Sequence, residues 1–184
     1  MRVLLVGVSC VGKTTIGAAL ARRLGDPFFD LDAEIERHFG LSIERLQARC
    51  MTGYSYRKEC SVVLERIVAD NPDCVVATGP SGLRDAYLRV VRKLPCVTVA
   101  IHDRPENILE RITFYDVDSK LIDTRLSDDQ KPLYLREIKK DISYFNRSYR
   151  RADVHADVAG LGVEASAELI ETLVAEHCRD EPNP

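Results

Sequence analysis

Three short stretches carry residues whose types and spacing suit chemistry. The first, "GVSCVGKTT" (Gly7 to Thr15), fits the phosphate-loop pattern G-x-x-x-x-G-K-[ST]. Gly7 and Gly12 let the backbone curl so that successive N–H groups, through Cys10, Val11 and on to Thr15, face a polyphosphate. A helix that opens at Lys13 adds the positive end of its dipole. The Lys13 ammonium reaches the β- and γ-phosphates, and the Thr14 hydroxyl is placed to ligate Mg²⁺. The second, "FFDLDAEIE" (28–36), sets Asp30 and Asp32 on one face of a strand end. Beside a triphosphate, one carboxylate can hold Mg²⁺ through water while the other accepts a hydrogen bond from a substrate hydroxyl. Helix capping explains Asp32 equally well, but not Asp30, which stands between apolar residues. The third, "VVATGPSGL" (75–83), is an apolar run that stops at Thr78-Gly79-Pro80-Ser81-Gly82. It reads either as a turn or as the wall of a site.

These stretches need elements to bring them together. "RVLLVGV" (2–8) reads as a strand, and "KTTIGAALARRL" (13–24) as a helix ending at Gly25. "PFFDLD" is a short strand leading into a charged helical stretch from Ala33. "CVVAT" (74–78) and "CVTVAI" (96–101) are β-branched runs, "ADVHADV" (152–158) a weaker one, and 164–177 an amphipathic helix. Near-continuous apolar strands that alternate with helices predict an α/β fold: a parallel sheet with helices on both faces. Ligands in such sheets bind beyond the carboxyl ends of the strands, so Gly7, Asp30 and Gly79 should share one edge. Residues 113–132 are polar, carry both charge signs and fit neither pattern. They read as a lid or as a solvated insertion.

The chain has 184 residues, enough for one domain with a substantial core, expected over 1–178 with a frayed tail at 179–184. Its net charge of −3 gives no electrostatic case for nucleic acid or an acidic membrane as partner. The six cysteines show no paired ligand spacing and read as reduced, small apolar residues. The start "MRVLLVGVSC" mimics a lipoprotein leader, but its apolar run is short and "GKTT" follows at once. No run reaches the roughly 18 apolar residues of a membrane span. A cytoplasmic, monomeric protein is expected.

The strand–P-loop–helix start, the "D-x-D-x-x-I-E" segment at 30–36, the "YR" at 56–57 and the strand ending "VVATG" together resemble the shikimate kinase family. The resemblance covers 2–82 closely and 83–178 loosely. It implies a three-layer P-loop kinase fold with a five-stranded parallel sheet, a substrate-binding region at 33–72, a lid at 113–132, and transfer of the γ-phosphoryl of ATP to a hydroxyl of shikimate. Residue by residue, it assigns Lys13 and Thr14 to nucleotide and Mg²⁺, Asp30 to the metal, and Asp32 to the acceptor hydroxyls. Arg57 goes to the acceptor carboxylate, with Lys58 as competitor, and Gly79 to the acceptor. Arg125 goes to the lid, with Lys131 as competitor, Arg111 to the adenine, and Arg147 to the acceptor. Two departures stand out: Pro80 and Ser81 occupy two positions of the family's glycine triplet, and the lid motif is split. They leave open a gluconate- or nucleoside-type kinase, or a P-loop regulator without turnover.

Overall fold

In the computed structural model, residues 1–180 are described. The chain runs β1 (Arg2–Val6), α1 (Lys13–Leu24), β2 (Phe28–Asp30), α2 (Leu31–Phe39), α3 (Ile43–Arg49), α4 (Gly53–Asp70), β3 (Cys74–Ala77) and α5 (Asp85–Lys93). It continues through β4 (Cys96–His102), α6 (Pro105–Glu110), β5 (Phe114–Tyr115), β6 (Leu121–Ile122), α7 (Lys131–Tyr149), β7 (Val154–Asp157) and α8 (Val163–Asp180). Five strands form one parallel sheet in the order β2-β3-β1-β4-β7. β1 lies at its centre, with Leu4 level with Val76 on one side and Thr98 on the other.

From Val3 to Leu5 the side chains of β1 alternate between two cores, as the period of a strand requires, and Val6 at the strand end joins the first. Val3 and Leu5 join α1 and α8, through Ile16, Leu20, Ile170 and Val174, on one face. Leu4 joins α2, α4 and α5, through Ile35, Leu64, Tyr87 and Val90, on the other. A strand buried on both faces has no polar side to show, which is why "VLLV" reads as a continuous apolar run. Cys60 and Cys74 are buried in the second core and act there as small apolar side chains.

Among the boundaries that differ from the sequence reading, three have a clear physical cause. β1 stops at Val6, because the backbone from Gly7 onward belongs to the phosphate loop. Helix α2 begins at Leu31, two residues early, because the cap is Asp30 and not Asp32: the Asp30 carboxylate accepts from Asp32 N–H and Ala33 N–H. At the C-terminal end, Arg179 and Asp180 continue α8 rather than fray. Arg179 Nε donates to the Ala175 carbonyl at 3.2 Å, covering an end-of-helix acceptor. The remainder of the expected frayed stretch, 181–184, lies outside the described residues.

The irregular stretch 113–132 contains a small antiparallel hairpin, β5–β6, pairing Phe114 with Ile122 and Tyr115 with Leu121. Its turn is closed by Asp116, whose carboxylate accepts from the backbone N–H of Asp118 and Lys120. The turn rests on the α2–α3 connection. Ser42 Oγ donates to the Val117 carbonyl at 2.5 Å, Arg45 pairs with Asp118, and Ser119 Oγ bonds Glu36.

Candidate active site

Chain geometry at the end of β1 leaves no choice of residue at Gly7. A Cβ there would lie 2.9 Å from both the Ile101 carbonyl oxygen and Val11 Cγ1. Gly12 takes φ 106°, a conformation open to glycine, and Cys10 sits in the left-handed region at φ 60°. Together these turn the loop around an open centre. Val11 sends its side chain into the core and leaves its backbone to the loop. Helix α1 then starts without any side-chain cap, so its first-turn N–H groups face the loop unclaimed by side chains. Lys13 Nζ folds back to donate to the carbonyls of Gly7 (3.0 Å) and Val8 (2.8 Å). Burial pushes its pKa down to about 8, against the pull of Asp32, Cys10 and Asp30.

Asp30 links this loop to β2. One carboxylate oxygen caps α2, while the other accepts from Thr14 Oγ1 at 2.7 Å. A hydroxyl and a carboxylate in contact at a phosphate loop are hard oxygen donors of the kind Mg²⁺ takes. Asp32, the second residue of that helix, is half-buried, and loss of water around its carboxylate raises its pKa to about 6, with Asp30 adding to the effect and Lys13 opposing it. Gly79 backs onto it: a Cβ there would stand 3.3 Å from Asp32 Oδ1.

The segment after β3 is fastened at several points. Thr78 Oγ1 donates to the Leu5 carbonyl at 3.0 Å, Gly82 N–H to the Gly79 carbonyl, and the Tyr149 hydroxyl to the Pro80 carbonyl at 2.9 Å. Gly82 is needed for packing, since a Cβ there would strike Thr78 Oγ1 at 2.1 Å. Its N–H is consumed by the turn. Pro80, which has no N–H to offer, becomes a partition between two cavities. One, of about 850 Å³, holds the phosphate loop, Lys13, Thr14, Thr15, Asp30, Asp32, Gly79 and Arg111. The other, of about 500 Å³, is lined by Gln47, Tyr56, Arg57, Ser81, Arg84, Tyr144 and Phe145.

The remaining sequence-picked cations separate by position. Arg57 faces the second cavity and pairs with Asp85, Nε to Oδ2 at 2.9 Å; Lys58 is exposed and lines neither cavity. Arg111 lines the first cavity and is held by the buried Asp103 carboxylate. Arg125 is exposed on the strand-to-helix connection, lines neither cavity, and has no hydrogen-bond or ion-pair partner among the described residues. Lys131 pairs with Asp128 at 2.6 Å. Arg147 is exposed and opens onto a small neighbouring cavity with Arg84, Tyr144 and Arg151. The sequence reading missed Arg84, Tyr144 and Phe145. Tyr144 and Phe145 come from a face of α7 that only tertiary packing selects, and Arg84 follows the turn with no motif to mark it.

Known proteins resemble this chain over most of its length. The sequence model of the shikimate kinase family matches residues 9–177. A shikimate kinase of Salinibacter ruber is 36% identical over 71% of this chain and 65% of its own length. One from Moorella thermoacetica is 31% identical over 94% of both. The solved structure of an Acinetobacter baumannii shikimate kinase in complex with shikimate superposes with a TM-score of 0.71 at 26% identity, covering 95% of this chain and 93% of that one. With the phosphate loop, the aspartate pair and the five-stranded order all in place, the chain belongs to the shikimate kinase family.

Proposed function

We propose that this protein transfers the γ-phosphoryl group of ATP to a hydroxyl of shikimate, giving shikimate 3-phosphate and ADP. The observation that carries the reading is the meeting of two cavities at Pro80, with Asp32 between Lys13 and Gly79 on the nucleotide side. ATP lies in the first cavity, its triphosphate on the loop N–H groups and Lys13 and its base towards Arg111. Thr14 and Asp30 hold Mg²⁺, which when bound neutralises charge on the β- and γ-phosphates. Shikimate fills the second cavity, its carboxylate among the guanidinium groups there, Arg57 included, and its ring hydroxyl reaching past Gly79 to Asp32.

Asp32 accepts a hydrogen bond from that hydroxyl and aims its oxygen at the γ-phosphorus. The new P–O bond forms as the bond to the β-phosphate oxygen breaks, ADP leaves, and the hydroxyl proton passes to Asp32. Lys13 leaves its two loop carbonyls to follow the charge that spreads over the transferring oxygens. Little covalent chemistry is asked of the protein; positioning and charge supply the rate.

Residues 113–132 form the lid and bring Arg125 over the phosphates, and 33–72 form the acceptor-binding region of a single domain. The reduced cysteines suit a reducing cytoplasm, and no helix among the described residues is long and apolar enough to cross a membrane. The net charge of −3 favours neither nucleic acid nor an anionic membrane as a partner, and the enzyme acts as a monomer. ADP release measured side by side with shikimate, gluconate and nucleosides tests the acceptor. Selective turnover of shikimate is expected, and a preference for gluconate or a nucleoside would sink the reading.

A further inference from the structure

Charge is unevenly matched around the acceptor cavity. Two guanidinium groups line it, Arg57 and Arg84. Arg57 is mostly buried, its side chain 14% exposed, and its charge is met by the Asp85 carboxylate, which two of its nitrogens reach. Arg84 has no carboxylate partner among the described residues. Its Nη1 donates to the Tyr144 hydroxyl at 2.8 Å, and its Cζ lies 5.0 Å from the centre of the Tyr144 ring. A phenol oxygen and an aromatic face position a guanidinium without neutralising it.

The backbone keeps the two neighbours apart. Asp85 takes φ 47°, the left-handed region that aspartate tolerates better than most residues. Consecutive in sequence, the Arg84 guanidinium and Asp85 carboxylate do not pair with each other; Asp85 turns to Arg57 and Arg84 to Tyr144. In the smaller cavity beside Arg84, Arg147 and Arg151 outnumber the one carboxylate, Asp85, which is already engaged by Arg57. The cavity therefore carries an unmatched planar cation on its wall. An acceptor with a carboxylate meets that cation in bidentate fashion, whereas a neutral polyol leaves it without an anion.

We infer that Arg84 is the specificity-determining residue of the acceptor cavity: it holds the acceptor's carboxylate, with the Arg57–Asp85 pair framing the wall beside it. This rests on the proposed shikimate reading and names the residue that selects for the acid. The test is steady-state kinetics at saturating ATP, with shikimate and its methyl ester, for the wild type, R84Q and R84K.

The R84Q variant should raise KM for shikimate on the order of 10–100-fold, the loss of a charge-assisted hydrogen bond. It should leave KM for ATP unchanged and erase the wild-type preference for the acid over the ester. R84K keeps the charge but loses the planar fork; it should fall between the two, and it carries the test if R84Q does not fold. An unchanged KM for shikimate, or equal losses on acid and ester, would overturn the assignment, since a merely structural role moves both acceptors alike. Wild-type protein inert towards shikimate would overturn the acceptor reading itself. An active wild type with an indifferent R84Q would overturn Arg84 alone.

Discussion

Asp32 and Lys13 are both half-buried, and each is pushed towards its neutral form by partial loss of water around its charge. Their functions can be separated kinetically. Asp32→Asn keeps the shape and removes the proton acceptor, so kcat should fall by ~10²–10⁴ with KM for ATP little changed. Lys13→Ala removes the phosphate cation and should abolish turnover; retained ADP release would count against the whole scheme. Asp103 supports a prediction about stability. Burial alone would raise its pKa, but hydrogen bonds from Arg111, Asn107 and the Arg104 N–H outweigh burial and hold it below the usual carboxylate range. A depressed carboxylate contributes stability that is fully present above its unfolded pKa of about 3.9 and is lost as pH falls through the lower folded value. Asp103→Asn should therefore cost about 1–3 kcal/mol near neutrality and flatten the fall in melting temperature below about pH 4. Thermal melts across acidic pH read both effects.

Helix α1 was legible to the residue because its signals are local: Lys13 opens it after a glycine and Gly25, at φ 74°, closes it. The aspartate pair was only half legible. The capping reading of the sequence points to Asp32, yet the residue that caps is Asp30, whose carboxylate also accepts from Thr14, sixteen residues earlier in the chain. Arg147 looked like an acceptor ligand from its place near Tyr149, yet the α7 residues on the acceptor cavity are Tyr144 and Phe145, and no sequence period announces which stripe of α7 is used. Gly17 shows the same dependence on packing. A Cβ there would meet Phe28 Cε2 at 2.7 Å and Leu5 Cδ1 at 3.0 Å, so α1 lies against β1 and β2 only because that site is bare. Gly17→Val should destabilise by about 1–3 kcal/mol through overpacking, measured as a lower urea midpoint with an unchanged slope. The β5–β6 hairpin is held to α2 and α3 by exposed polar contacts, Arg45–Asp118 among them. Arg45→Ala should speed hydrogen exchange across 114–122 while leaving β1 and β4 protected. Added salt should bring the wild type closer to the variant, because exposed pairs are screened.

The molecule as a whole joins its parts through the nucleotide. A ligand that binds only the folded state stabilises it by about 2.7 kcal/mol at a hundred times its Kd, which for a chain of this size is a rise in melting temperature of about 5–11 °C. ATP or ADP should give that rise to the wild type, and Lys13→Ala should lose most of it. The parallel architecture was readable because β1, β3 and most of β4 are buried apolar runs, while the count of five strands came with the family resemblance. The strand order was not, because pairing partners lie far apart: Arg2 is level with Cys74 and with Cys96. That separation reaches back to biosynthesis. β1 leaves the ribosome before the other strands of its sheet, yet its second neighbour is complete only at His102. At 5–20 residues per second, translation alone keeps β1 without that neighbour for roughly 5–20 s. Through that interval "VLLV" is a nascent segment with unpaired strand edges, and a chaperone that grips short apolar runs would find its binding site in the same residues that later carry the phosphate loop.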